Sequence, residues 1–102
     1  MTHIRAWLDG RRPEAPAELR TAIEDAVQGA SSGSMQDVLE RGTQRCLASA
    51  LARPGRIRES AFDLLSADGL LTYACEAALE SEEPGAALTA ILDGLLDRPA
   101  VP

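Results

Sequence analysis

One stretch constrains this chain more than any other: Arg56 to Glu80, RIRESAFDLLSADGLLTYACEAALE. It carries no proline, and on a 3.6-residue period it reads as one long helix. Ile57, Ala61, Leu64, Leu65, Leu71, Cys75, Ala78 and Leu79 fall on one face, with Asp68 in their midst, while Phe62, Leu70, Tyr73 and Ala77 fall roughly opposite. A helix that is apolar on two sides has neighbours on both. The expectation is that the first of these faces is the main buried one, covered by the helices before it.

The remaining segments fit around such a helix. Residues 2–9, THIRAWLD, make a short amphipathic helix with Ile4, Trp7 and Leu8 on one face and Gly10 placed to end it. RRPEAP is a stiff connector, because its two prolines fix φ. Pro16 then suits the start of a second helix whose stripe is Leu19, Ala22, Ile23, Ala26 and Val27, closed by Gly29. After a short flexible connection near residues 30–33, Ser34 and Asp37 have the spacing of a capping box. The third helix runs from about Met35 to Arg53 with Met35, Val38, Leu39, Gly42, Cys46 and Ala50 on one side. A glycine at the centre of that stripe costs about 1 kcal/mol of helix stability against alanine, which a closely approaching helix would offset. Pro54-Gly55 is a turn signal, SEEPG another, and Leu88, Ile91, Leu92, Leu95 and Leu96 stripe a last helix that Arg98-Pro99 ends.

Composition supports the same class. The only aromatic residues are Trp7, Phe62 and Tyr73, so packing rests on leucine and alanine, which suits close helix pairs better than a sheet. The predicted fold is all-α: a small helical bundle of four longer helices plus a short N-terminal one, in a single domain over the 102 residues.

Charge narrows the partners. Residues 1–58 hold nine arginines against seven acids, a balance of +2, whereas residues 59–102 hold one against nine, a balance of −8. The net charge of −6 disfavours non-specific binding of nucleic acid or of an anionic membrane. No apolar run approaches the ~20 residues of a membrane span. All ten basic residues are arginine, which fits a GC-rich bacterial coding bias. With no signal peptide evident, Cys46 and Cys75 read as reduced thiols on apolar helix faces in a cytoplasm.

Chemistry-bearing patterns are few. His3, Cys46 and Cys75 are the whole supply of soft ligands, in no CxxC, HxxxH or ExxH spacing, so no metal site and no cofactor are expected. There is no glycine-rich phosphate loop and no Ser-His-Asp set. The arginines Arg53, Arg56 and Arg58 around the Pro-Gly turn offer either an anion contact or a solvated surface. Asp68 is the residue to explain. A carboxylate on a buried apolar face costs several kcal/mol unless paired. Asp68 is therefore expected to pair with Arg41, Arg45 or the Thr72 hydroxyl, to lie at a solvent-filled seam, or to serve as a ligand-binding or proton-handling group, with Thr72 the other candidate for binding a ligand.

Leu65 to Glu80, LSADGLLTYACEAALE, resembles the helix of trans-prenyl diphosphate synthases that typically reads AGDxLLTxAFE. The resemblance covers less than a fifth of the chain. The DDxxD motifs that bind magnesium diphosphate in that family are absent here, so the resemblance implies no catalytic residue and reads as convergent helix packing.

The function expected from these features is non-catalytic: self-association or binding of a protein partner. The expected assembly is a homodimer through Phe62, Leu70 and Tyr73 of the central helix or Leu88, Ile91, Leu92 and Leu95 of the last. The alternative is a small-molecule or lipid-tail binding protein, weakly enzymatic or not, centred on Asp68.

Overall fold

The computed structural model describes residues 2–28, 33–53, 55 and 57–96. The expected stops at Gly29 and at Arg98-Pro99, Pro54 and Arg56 of the turn, and residues 30–32 of the connection lie outside the described residues. The described chain forms five helices: α1 (Thr2–Asp9), α2 (Ala17–Val27), α3 (Met35–Leu51), α4 (Ile57–Leu79) and α5 (Pro84–Leu96), with no strand among the described residues. The fold is an all-α bundle, as its leucine- and alanine-rich composition predicts.

Local chemistry sets the boundaries. The Ser34 hydroxyl accepts a hydrogen bond from the Asp37 backbone N–H at 3.2 Å, and the Asp37 carboxylate accepts from the Ser34 N–H at 3.2 Å. This reciprocal cap satisfies two otherwise orphaned donors and starts α3. Gly33 before it has φ of 104°, a left-handed conformation that only glycine adopts without strain. Pro16 stands at the N-cap of α2, so the helix itself begins at Ala17. At the other end of α3, the Ser60 hydroxyl of α4 donates to the carbonyls of Arg53 and Ala50 at 2.7 and 3.3 Å. Carbonyls that a helix end would leave bare are thereby satisfied by the next helix.

The α3–α4 hairpin is the centre of the fold. The two helices run antiparallel, with Gly42 against Leu70 and Ser49 against Asp63. Their contact is lined with small residues: Gly42, Thr43, Cys46 and Ala50 on α3, and Ser66, Ala67, Ala74, Ala77 and Ala78 on α4, all buried. Small side chains let the backbones approach closely, and the larger Leu70 and Leu39, both fully buried, fill the space between them. α2 closes one side through Ile23 and Val27. α5 closes another through Ile91, with Gln36 and Gln44 of α3 donating to the carbonyls of Ala87 and Gly94 at 3.1 and 3.3 Å. α1 covers the C-terminal half of α4, with Ile4 and Leu8 buried. The radius of gyration, 13.3 Å, is that of a tightly folded chain of about 100 residues.

Candidate functional site

The core face of α4 is the reverse of the one its leucine count predicts. Leu70 is fully buried, and the residues flanking it around the helix, Ser66, Ala67, Ala74, Ala77 and Ala78, form the rest of the inward surface. Half a turn away lie Ile57, Ala61, Leu64, Leu65, Asp68, Cys75 and Leu79 of the face expected to be buried, together with Thr72; of the other residues expected there, Ala78 is buried and Leu71 is partly buried against the core. Ile57 is 81% exposed, Leu64 and Leu65 are each 51% exposed and Leu79 is 61% exposed. The physical reason is size. A close α3–α4 contact needs small residues on its inner surface, and these lie on the Leu70 side, so the larger aliphatic side chains are turned outward.

This reversal places Asp68 outside. The residue is exposed, midway along the outer face, and is not a buried acid. Among the described residues it makes none of the pairings expected of it. Arg41 lies beside Gly33 and Asp37, and Arg45 donates to the carbonyls of Ala26 and Gln28 at 2.8 and 3.3 Å, fastening α3 to the end of α2. The Thr72 hydroxyl donates to the backbone carbonyl of Asp68 at 2.9 Å, not to its carboxylate. The acid of α4 that meets α3 is Asp63, which is half-buried. It accepts from the Ser49 hydroxyl at 2.9 Å and lies 3.7 Å from the Arg53 Nε. Arg53 is thus part of the hairpin rather than of an anion site, while Arg58 is exposed at the start of α4.

The residues expected at an interface are scattered by the fold. Leu70 and Ile91 are core residues; Leu88, Leu95 and Tyr73 are partly buried against the core. Of the seven, only Phe62 and Leu92 present substantial apolar surface to solvent. Tyr73 meets Trp7 of α1 edge to face, with ring centroids 6.0 Å apart. Its ring is engaged by this chain's own first helix.

Around that ring is a polar latch that holds α1 down. The Trp7 indole N–H donates to Glu80 at 2.9 Å, Arg11 donates to Glu80 at 2.8 Å and to Glu76 at 3.3 Å, and the Arg11 guanidinium lies 4.0 Å from the centre of the Trp7 ring. These hydrogen bonds, the one from Trp7 first and that from Arg11 second, hold the Glu80 carboxyl below the usual carboxylate range. On the other side of α1, Arg20 bridges Asp9 and Glu24 at 2.9 and 2.6 Å.

Two solvent-open clefts among the described residues lie away from the outer face of α4. One, of about 360 Å³, is lined by Leu8, Asp9, Glu14, Ala15, Ala17, Arg20 and Tyr73; another, of about 270 Å³, by Gly33, Asp37, Glu40, Arg41 and Gln44. Neither includes Asp68 or Thr72. In the second, burial pushes the Glu40 carboxyl up, and the nearby Asp37 adds to the effect. Cys46 is a free thiol in the core, its pKa raised by burial, and Cys75 is a free thiol at the edge of the outer face. Among the described residues no three His, Cys, Asp or Glu side chains cluster as metal ligands would, and no helix is long and apolar enough to cross a membrane.

Along the outside of α4 the geometry places exposed aliphatic residues toward both ends and the Asp68 carboxylate at the middle. Comparison with protein-family models, with curated proteins and with solved structures finds no match to this chain.

Proposed function

We propose that this protein works by association rather than catalysis, and that it forms a homodimer through the outer face of α4. The observation that carries this reading is the exposed apolar surface of Ile57, Ala61, Leu64 and Leu65 along the first half of the outer face, with exposed Leu79 at its far end. Monomeric proteins rarely expose contiguous apolar patches larger than a few hundred Å². α4 has 23 residues and is therefore about 34 Å long. Two such strips laid together over that length bury close to the ~1,000 Å² total that separates specific interfaces from chance contacts. An affinity in the micromolar range suits an interface of that size.

A second copy brings opposite charges together at the ends of the strip. Arg58 and Glu76 lie on the same flank of α4, near its beginning and its end. An antiparallel copy places each Arg58 beside Glu76 of the partner subunit and sets the two helix dipoles in opposition, both favourable. The ligand-binding alternative would want an enclosed apolar cavity beside Asp68; the clefts lined by Leu8, Asp9 and Tyr73 and by Glu40 and Arg41 do not include that residue. The free thiols Cys46 and Cys75 favour a reducing compartment, so a cytoplasmic location, in keeping with the bacterial composition, completes the proposal.

The test is the molar mass in solution over a dilution series, by light scattering and sedimentation. Wild-type protein should move from dimer to monomer with dilution, and Leu65→Arg should be a folded monomer throughout. A wild-type protein that is strictly monomeric at hundreds of micromolar overturns the reading. A 1:1 complex with a different protein that Leu65→Arg abolishes would replace the second copy by that partner.

A further inference from the structure

Resting on the homodimer just proposed, we infer that the two α4 helices meet antiparallel with the two-fold axis beside Asp68. The two Asp68 carboxylates then face each other and hold the dimer weaker than its apolar face would allow. The spacing of the outer face carries this register. Asp68 is equidistant from Ile57 and Leu79, the exposed aliphatic residues at the two ends of the strip. The small Ala61 and Cys75 mirror each other about it, whereas nearer the centre Leu64 mirrors the smaller, polar Thr72, and Leu65 mirrors Leu71, which is partly buried against the chain's own core. In an isologous contact each residue i meets a residue j and each j an i. A strip whose outer positions match about one residue therefore covers itself at its ends when turned end for end about that residue. The large residues at the ends cover each other, and the small Ala61 and Cys75 meet and let the helices approach.

Other registers are worse. Sliding one copy by a turn leaves either Ile57 or Leu79 beyond the end of the partner helix. It also sets each Asp68 carboxylate among aliphatic side chains, where a charge is costly. The flank that pairs Arg58 with Glu76 of the partner subunit is centred on residue 67, one position from Asp68.

That register brings two like charges together with nothing to neutralise them. From residue 59 to residue 79 α4 contains no basic residue. Asp68 is exposed, and along its own helix its neighbours are Leu64, Leu65, Leu71 and Thr72, none of them charged. Across the axis it meets its counterpart. Facing carboxylates on a partly dried surface repel far more strongly than in bulk water. Asp68 thus acts as a brake on association. It also excludes aliphatic partner surfaces that offer no polar group at their centre, a specificity device of the kind buried polar residues provide in helix pairs.

The experiment measures dimer dissociation constants by sedimentation for wild type, Asp68→Asn, Asp68→Arg and an equimolar mixture of wild type with labelled Asp68→Arg. Asp68 is exposed in the single chain, so every variant should fold, which circular dichroism verifies. Asp68→Asn should tighten the dimer at least tenfold. Asp68→Arg alone should be monomeric, and mixed with wild type it should give a heterodimer at least tenfold tighter than the wild-type homodimer. If Asp68→Asn leaves the dissociation constant unchanged and the mixture shows no preference for the heterodimer, the axis does not pass Asp68. The homodimer itself still stands in that case provided Leu65→Arg abolishes it. If neither wild type nor Asp68→Asn associates at hundreds of micromolar, the register and the homodimer fall together.

Discussion

Gly42 of α3 faces Leu70 of α4 with no room for a side chain between them. A β-carbon on Gly42 would lie 3.3 Å from the Leu70 Cδ2 and 3.2 Å from the Val27 Cγ1. Leu70 and Val27 are themselves buried, so neither can swing aside. Three helices converge at this glycine, and its absent side chain is what lets them.

Substitution there tests the convergence. Gly42→Leu should lower stability by ~1–3 kcal/mol through overpacking, despite its better helix propensity. Gly42→Ala should fail to realise the ~1 kcal/mol that alanine ordinarily gains in a helix interior, because its methyl group presses on both neighbours. Urea denaturation followed by circular dichroism measures both. Full tolerance of leucine would show that the three helices do not meet there.

This convergence is legible in the sequence, and so are the elements. A glycine in the middle of an apolar stripe marks a close helix contact, and the Ser34–Asp37 spacing and the proline positions mark helix starts within a residue of where they fall. The orientation of α4 is not legible in the same way. Both of its sides are apolar, and a leucine count selects the side with Leu64, Leu65 and Leu79. The fold instead buries Ser66, Ala67, Ala74, Ala77 and Ala78, because α3 offers Gly42, Cys46 and Ala50 to pack against. The signal available is the pairing of small residues on two successive helices, which points to a close antiparallel contact. Asp68 shares the ambiguity, since its leucine neighbours make it look buried. Asp63, on the side that does meet α3, is the acid the fold partly encloses and pairs with Ser49.

Leu70 and Leu65 should therefore respond oppositely to the same change. Leu70→Arg buries a charge in a fully enclosed site and should unfold the protein, since such substitutions exceed ~4 kcal/mol. Leu65→Arg places its guanidinium in water and should change the stability of the monomer by no more than ~0.5 kcal/mol. Thermal melts of the two variants at equal concentration separate these outcomes. A folded Leu70→Arg protein would mean that α4 is turned the other way.

Asp68 offers a further check on that orientation. An enclosed, paired acid would lose ~1–3 kcal/mol on truncation. An exposed one whose carboxylate neither caps a helix nor accepts the Thr72 hydroxyl should lose less than ~0.5 kcal/mol. Asp68→Ala is measured by denaturant unfolding, at concentrations low enough to keep the protein monomeric. A loss above ~1 kcal/mol would place Asp68 inside after all.

The latch between α1 and α4 should open in acid. The Glu80 carboxyl is held below its ordinary range by the hydrogen bond from the Trp7 N–H and then by that from Arg11. A carboxyl whose folded-state pKa is depressed contributes stability that is fully present above its unfolded value, about 4.3 for Glu. That contribution is lost as the pH falls through the lower, folded value. Trp7 is the only tryptophan, so its fluorescence reports on α1 alone. As pH falls below about 4, its emission should shift to the red while helical circular dichroism, dominated by the much longer α3 and α4, is still largely retained. Glu80→Ala should show the shifted emission already at neutral pH and little change on acidification. Arg11→Ala removes a bridge to both Glu80 and Glu76 and a cation from the Trp7 ring, and should loosen α1 in the same direction. Wild-type emission that stays constant down to about pH 3, well below the ordinary Glu range, or that moves only together with the loss of helix, would show that Glu80 does not latch α1 independently of the rest of the bundle.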